Sequence, residues 1–215
     1  MFRFRGKKAD DAITEMTVCL IGCGPAGMHF LHAIAERKAK GLAVPQVTCF
    51  ERAESAGGIW RDVPDNDKDR TKPENSTVMY EDMWCNTPKE LMEYYDYTFS
   101  THFNRPTPAY LPRKDILEYI NARNSTNSAL DAVHFQHSIT SVQYSDETSK
   151  FTIEASDNAT NTSKTITCDK CIWAGGIHAE PYRPEDMIEL LESYTGKVIH
   201  SAEAAEGFEE DVRGK

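Results

Sequence analysis

Several features that would place this protein in other classes are absent from its sequence. No run of about 18 apolar residues could span a bilayer, and the start has no apolar signal-peptide region. Basic residues are outnumbered, with 24 Lys and Arg against 34 Asp and Glu, so the net charge of −10 would repel nucleic-acid phosphates. We therefore predict a cytoplasmic protein with no nucleic-acid partner and no membrane association detectable in this portion. The sequence carries no signal for an oligomeric state.

Cysteine is sparse, and its spacing completes no metal site. The six cysteines fit a reducing compartment. Cys19 and Cys49 fall within predicted core strands, and Cys23 lies in a glycine-rich turn. Cys168 and Cys171 have the C-x-x-C spacing of redox and zinc sites, but no second pair completes a zinc site, and the motif leads into a strand. We predict buried thiols and no metal.

What the sequence does contain is a dense glycine motif between an apolar strand and a helix. The strand is predicted over 17–21, and the helix runs from Pro25 with apolar residues at helical spacing until Gly41. His29 and His32 are predicted to pack on a face of this helix. Between strand and helix lies Gly22-Cys23-Gly24-Pro25-Ala26-Gly27, which matches G-x-G-x-x-G. In this motif the glycines allow a tight turn, backbone approach to a pyrophosphate and close helix–strand packing, while the helix N-terminus attracts the anion.

The residues that follow support a dinucleotide site. A second apolar strand is predicted over 46–50 and ends at Glu51. An acidic side chain at that position can accept hydrogen bonds from the ribose hydroxyls of adenosine. Strand, glycine turn, helix, strand and acid therefore occur in the order of a βαβ unit. The predicted cofactor contacts are Gly22, Cys23, Gly24, Pro25, Ala26, Gly27 and Glu51.

The rest of the pattern predicts an α/β fold, a Rossmann-like βαβ dinucleotide-binding unit with a parallel sheet. We expect an N-terminal tail over 1–16, the binding domain over 17–201, and an acidic tail or the start of a hinge over 202–215. The domain carries a helical and loop insertion at about 53–111 and a small antiparallel β-meander at about 138–168.

Within these regions, further elements are predicted from capping and periodicity. Thr87, Pro88 and Glu90 match a capping box that opens a helix, and a second helix follows Pro112. A strand over 171–174 returns to the parallel sheet. The remaining elements are a helix after Pro184 and a last strand over 197–201.

A second glycine cluster makes the motifs specific to a family. Glu51-Arg52 is followed by Gly57-Gly58-Ile59-Trp60, and together with the first turn these motifs resemble the FAD-binding half of flavin-containing monooxygenases. The segments "WCNTPKELMEYYDYTF" and "WAGGIHAEPYRPE" are similar to later blocks of that family. Tyr194-x-Gly196-x-x-x-His200 resembles its identifying motif, although Ala204 stands where the family has an aromatic residue. The choice between heteroatom and ketone oxidation therefore stays open.

The resemblance implies both chemistry and residue roles. It implies FAD as cofactor, NADPH as its reductant, and O₂ as the source of one oxygen atom for a small-molecule substrate, which is a soft nitrogen or sulfur compound or a ketone. The glycine turn would hold the pyrophosphate, Glu51 the ribose, and Arg52 would flank the adenine. The residues implied beside the flavin are Gly58, Ile59, Trp60, Asn86 and Thr87, with Asn86 as the catalytic candidate near the oxygen-reactive edge.

Two other readings of the sequence compete with this one. Members of the family continue into a second glycine-rich unit that binds NADPH, whereas this sequence has one such fingerprint. We therefore expect truncation before the NADPH domain, with nicotinamide binding implied for a longer parent. The alternatives are another two-dinucleotide flavoprotein, such as a disulfide reductase with a redox-active cysteine pair, or a catalytically incompetent nucleotide-binding fragment.

Overall fold

A computed structural model describes residues 3–61, 79, 82–177, 182–200 and 213. The strands are β1 Thr17–Ile21, β2 Gln46–Phe50, β3 Val133–His134, β4 His137–Ser145, β5 Lys150–Asp157, β6 Ser163–Cys168 and β7 Lys170–Trp173. The α-helices are α1 Arg3–Glu15, α2 Pro25–Ala39, α3 Phe99–Phe103, α4 Arg113–Ser125 and α5 Glu185–Glu192. Short 3₁₀ turns cover Gly58–Trp60, Lys89–Leu91 and Ser128–Ala132.

The first sheet is parallel and has the order β3-β2-β1-β7. β1 lies between β2 and β7, and Ile21 at its end is in register with Phe50 on one side and Trp173 on the other. At its other end, the Asp169 carboxylate accepts hydrogen bonds from the N–H and hydroxyl of Thr17 at 2.8 and 2.7 Å. The two predicted strands of the βαβ unit and the return strand are confirmed. The two-residue strand β3 was not predicted.

The second sheet is antiparallel, with the order β4-β5-β6. Its register runs from Ser145 opposite Lys150 to His137 opposite Asp157, with a bulge between Ile139 and Ser141. The predicted β-meander is therefore confirmed, and it begins at His137 and ends at Cys168.

The parallel sheet separates two apolar layers because successive side chains of a strand point to opposite faces. From β1, Leu20 joins the core formed with α2 and α4. Its neighbours Cys19 and Ile21 face the meander and pack with Ile153 and Ala155. The glycine turn at the end of β1 therefore sits on a strand that is buried on both faces.

The insertion is held on α4 by one buried tyrosine. The hydroxyl of Tyr119 accepts a hydrogen bond from the Tyr94 N–H at 2.9 Å and donates to the Tyr97 carbonyl. Its ring stacks on Phe99 with centroids 3.8 Å apart. The aromatic residues of this segment, which the sequence shows as a dense cluster, form a local core around α4.

Two predicted elements are wrong, and a segment predicted as a tail is helical. Thr87 opens no α-helix: the chain makes the 3₁₀ turn Lys89–Leu91, whose cap Pro88 has ψ 141° and no side-chain cap bond. Residues 197–200 form no strand and join neither of the described sheets. The N-terminal segment forms α1, whose described side chains are exposed apart from half-buried Ile13.

Other expectations fall partly or wholly outside the described residues. These include the predicted tail over 202–215, of which only Arg213 is described, and part of the insertion. Across the described ranges, no helix has the length and apolarity needed to cross a membrane.

A candidate dinucleotide-binding site

The glycine turn after β1 is closed by backbone atoms that leave no room for side chains. Gly22 has φ +98°, and a Cβ there would lie 2.4 Å from the Ala174 carbonyl oxygen. Its N–H donates to the Phe50 carbonyl at 2.8 Å. A Cβ on Gly27 would lie 2.1 Å from the Gly22 carbonyl oxygen. The first and third glycines therefore allow close backbone packing, Gly22 against Ala174 and Gly27 against Gly22.

The start of α2 presents unused hydrogen-bond donors. Gly24 is its N-cap and makes no side-chain cap bond, and Pro25 occupies the first helical position. Within the described ranges, no acceptor is bonded to the N–H groups of Gly24, Ala26 or Gly27. Such groups, at the positive end of the helix dipole, form an anion site. The turn therefore fits a diphosphate.

Glu51 lies beside this turn, as predicted. Its carboxylate is buried and accepts hydrogen bonds from the Cys23 N–H at 2.7 Å and from the Ala53 N–H at 2.9 Å. Each carboxylate oxygen has further acceptor capacity, so it can also receive a ribose hydroxyl. Burial lowers the pKa of nearby Arg61, and the negative charge of Glu51 opposes that shift. Arg52 follows, with its carbonyl accepting from the Asn158 amide at 2.9 Å.

The second glycine turn lies directly against the first. Gly57, with φ +125°, donates its N–H to the Cys23 carbonyl at 3.0 Å. Gly58 has φ +58°, and a Cβ there would lie 2.9 Å from the Cα of Gly24. Ile59 and Trp60 continue into the 3₁₀ turn, half-buried. The structure therefore brings together the two glycine motifs that are separated by α2 and β2 in sequence.

Helix α4 supports the second turn through a residue that sequence reasoning missed. Nη1 of Arg113 donates to the carbonyls of Trp60 and Arg61 at 2.8 and 2.9 Å. Farther along α4, Leu117 Cδ1 lies 2.7 Å from where a Gly57 Cβ would stand. One signal was available: a cation at the first residue of a helix opposes the helix dipole, so such a residue needs other partners.

The catalytic candidate Asn86 lies on a segment that is bonded to the residues before α4. Its side chain is exposed and accepts a hydrogen bond from the Thr87 hydroxyl at 3.4 Å. The preceding Cys85 is buried, and its Sγ accepts from the Thr87 N–H at 3.3 Å. The Cys85 N–H donates to the Leu111 carbonyl at 2.9 Å, which ties this segment to the start of α4. In the described part of the chain, no hydrogen bond joins Asn86 to either glycine turn.

One group has the side-chain types of a metal site, but its bonds favour a structural role. Ligand atoms of His32, Glu36 and Asp96 lie within 4.8 Å of one another. Arg123 already binds both oxygens of Asp96, at 3.1 and 3.0 Å. The side-chain oxygen of Asn127 accepts a hydrogen bond from the Ala129 N–H, so the side-chain nitrogen is the atom that donates to His32 Nδ1, at 3.2 Å. Because Nδ1 accepts this bond, the proton of the neutral imidazole is on Nε2. Burial lowers the pKa of His32. The predicted packing of His32 on the helix face is confirmed.

Cys19 and the C-x-x-C pair Cys168 and Cys171 lack the character of a redox centre. Burial, with the neighbouring Cys168, raises the pKa of Cys19 to about 12. Burial also raises the pKa of Cys168 and of Cys171. Redox-active cysteines need a depressed pKa, because the thiolate is the reactive form. The predicted burial is confirmed for Cys168, Cys19, Cys23 and Cys49, while Cys171 is half-buried.

Comparison with known proteins assigns the fold to a family. Residues 15–212 match the model of the flavin-binding monooxygenase-like family. The chain belongs to this family. It is 31% identical to trimethylamine monooxygenase of Pelagibacter sp. strain HTCC7211 over 198 residues, which are 92% of this chain and 43% of that protein. The chain thus spans less than half the length of this curated relative.

Solved structures of two such enzymes agree. The crystal structure of Tmm from Pelagibacter sp. strain HTCC7211 superposes with a TM-score of 0.77 at 28% identity, covering 88% of this chain and 42% of that one. S-allyl-L-cysteine S-oxygenase from Allium sativum superposes with a TM-score of 0.69 at 22% identity, covering 89% and 43%, and shows the fold alone. The predicted family and fold class are confirmed, and family membership decides against a disulfide reductase.

Proposed function

We propose that this chain forms the FAD-binding part of an NADPH-dependent flavin monooxygenase, which inserts one oxygen atom of O₂ into a soft nitrogen or sulfur atom or a ketone. Family membership supports the reaction class. The observation that carries the assignment to this region is the pairing of free N–H groups at the start of α2 with the Glu51 carboxylate, 2.7 Å from the same turn. A diphosphate and its ribose need these two kinds of group side by side.

The adenosine half of FAD would be held by the first turn. The N–H groups of Gly24, Ala26 and Gly27 would donate to the diphosphate, and the adjacent Glu51 would accept from the ribose. Pro25 fixes the first helical residue, and Cys23 contributes its backbone while its thiol is buried. Arg52 would flank the adenine. The bond from the Gly57 N–H to the Cys23 carbonyl already ties the two turns together.

The flavin half would lie toward the second turn. Gly58 lets the two turns approach, and the half-buried side chains of Ile59 and Trp60 would form an apolar wall that excludes water. The amide of Asn86, with Thr87 beside it, would hydrogen-bond at the oxygen-reactive edge. FAD, when bound, supplies the hydride acceptance and oxygen chemistry, and the protein supplies position and a dry surrounding.

A small tertiary amine is the first substrate to test, because the 31% identical relative is a trimethylamine monooxygenase. Sulfides and ketones are the comparison substrates. The proposal places the protein in the cytoplasm, with NADPH and O₂ as co-substrates of the whole enzyme.

The test is a titration of the purified protein with FAD, followed by flavin fluorescence and the visible absorbance band. Saturable uptake supports the proposal; no bound flavin and no uptake of added FAD contradict it. Oxygen consumption is then measured with NADPH and trimethylamine. Turnover by this chain alone would exclude the incompetent-fragment alternative, whereas FAD uptake without turnover would restrict its role to cofactor binding.

A further inference from the structure

We infer that Arg113 is a positioning residue that holds the flavin-side turn and the Asn86 segment in a fixed relation. This inference rests on the proposed function, since it assigns a purpose to the turn that FAD would contact. Arg113 is only 4% exposed and stands at the first residue of α4. A buried guanidinium is costly unless it is well bonded, so its partners indicate what it is for.

Within the described ranges, its guanidinium binds backbone atoms of the second glycine turn. Nη1 donates to the carbonyls of Trp60 and Arg61, which end the 3₁₀ turn Gly58–Trp60. Hydrogen bonds from a charged donor are stronger than neutral ones, and two bonds from one nitrogen fix both position and direction. Arg113 therefore fixes the position of the backbone at the end of this turn.

The effect reaches the first turn because the two turns touch. Gly57 bonds to the Cys23 carbonyl at 3.0 Å, and Gly58 lies against the Cα of Gly24. A shift of the carbonyls that Arg113 holds would move these contacts and, with them, the N–H groups proposed to bind the diphosphate.

The same helix start also holds the segment of Asn86. The backbone N–H of Arg113 donates to the Met83 carbonyl at 2.8 Å, and the Leu111 carbonyl accepts from Cys85 at 2.9 Å. Two residues shortly before Asn86, Met83 and Cys85, are thus tied to the start of α4. The start of α4 is the common anchor of the two segments proposed to face the flavin.

Arg123 offers a matched control. It is another buried arginine on α4, but its guanidinium binds Asp96 and lies 4.1 Å from the ring centroid of Tyr94, away from both glycine turns. Arg113→Met and Arg123→Met each remove one buried charge from the same helix. Both variants should lower the melting temperature, so loss of stability alone cannot distinguish them.

Hydrogen exchange without cofactor tests the positioning role directly. In Arg113→Met, we expect at least about tenfold faster exchange at the amides of Gly57 and Arg61, since their bonds depend on the held turn. In Arg123→Met, these amides should exchange at the wild-type rate. Equal exchange in both variants, or unchanged exchange in Arg113→Met, would overturn the inference whether or not the protein binds FAD.

FAD titration then connects position to binding. Arg113→Met should raise the Kd for FAD about tenfold or more, Arg123→Met should leave it unchanged, and Arg113→Lys should fall between Arg113→Met and wild type. If Arg113→Met does not fold, the Lys variant carries both measurements. A wild-type protein that takes up no FAD would refute the proposed function, while the exchange data would still decide whether Arg113 holds the turn.

Discussion

Replacing Gly24 with alanine would separate cofactor binding from folding. Gly24 has φ −75° and ψ −174°, an extended conformation open to any residue, and the new Cβ would lie 3.4 Å from the Cα of Gly58, an ordinary contact. We expect the free energy of unfolding to stay within about 1 kcal/mol of wild type. The methyl group would occupy the gap where the diphosphate approaches the backbone. The Kd for FAD should therefore rise about tenfold to a hundredfold, or about 1.4–2.8 kcal/mol.

Gly27→Ala, in contrast, should lower the stability of the fold itself. Its Cβ would stand 2.1 Å from the Gly22 carbonyl oxygen and 3.1 Å from the carbonyl carbon, and neither can move without opening the turn. We expect the free energy of unfolding to fall by about 3 kcal/mol or more. At roughly 2–4 °C per kcal/mol for a chain of this size, the melting temperature would drop by roughly 6–12 °C.

Gly41→Ala supplies a control for stability loss remote from the site. Gly41 has φ +68° with no atom within 4 Å of its Cβ position, so only backbone strain is added, at about 1–2 kcal/mol. Thermal unfolding without FAD and a flavin fluorescence titration of all three variants complete the assay. The reasoning fails if Gly24→Ala binds FAD as tightly as wild type, or if Gly41→Ala weakens binding as much as Gly24→Ala does.

Three further predictions concern hydrogen bonds. Glu51→Gln should cost about 1–3 kcal/mol of stability and raise the Kd for FAD, because the new amide NH₂ would face one of the two backbone N–H groups that now donate to Glu51. An unchanged melting temperature together with an unchanged Kd would contradict this. Tyr119→Phe leaves the Tyr94 N–H unpaired and should cost about 1–3 kcal/mol at pH 7. Burial raises the pKa of Tyr119 to about 12, so its contribution to stability should be complete below about pH 10 and be lost toward pH 12. The stability difference between wild type and Tyr119→Phe should therefore narrow over this pH range. The hydrogen bond from Lys150 holds the pKa of Asp169 well below its usual range. Asp169 therefore stabilises the fold above about pH 4, and this contribution is lost as the pH falls through its folded pKa. The melting-temperature gap between wild type and Asp169→Asn should therefore narrow at low pH, and a gap that widens would refute the assignment.

Local pattern was sufficient to predict the cofactor unit. The bounds of β1 and β2 agree with the predicted 17–21 and 46–50. Each is a short apolar run with a clear end, since Gly22 follows the first and Glu51 follows the second. The start of α4 after Pro112 was equally well marked. Glu51 was placed beside the turn from order alone, since parallel strands end at the same edge of a sheet.

Elements that depend on distant partners were not predictable in this way. The residues from Thr87 to Glu90 read as a capping box, yet the Thr87 N–H bonds to Cys85 Sγ and the chain turns after Leu91. β3 has two residues and exists only by pairing with β2. Helix α1 carries too little apolar periodicity to be recognised, since most of its described side chains are exposed.

The residues that hold the candidate site in place were not predicted from the sequence. Arg113 acts through carbonyls more than fifty positions earlier in the chain, at Trp60 and Arg61. Ala174, which follows β7, closes the glycine turn although it is about 150 positions later in the chain than Gly22. Neither contact leaves a periodic or motif signal. The sequence thus predicted the groups proposed to touch the cofactor better than the groups that hold them in place.

The position of β1 between β2 and β7 has a consequence for synthesis on the ribosome. β1, α2 and β2 emerge early, but the Ala174 backbone that walls in Gly22 emerges only after the whole meander has been made. Until then β1 presents one unpaired edge, which is open to association with other chains. A nascent chain can therefore complete the turn at Gly22 only after β7 has docked beside β1.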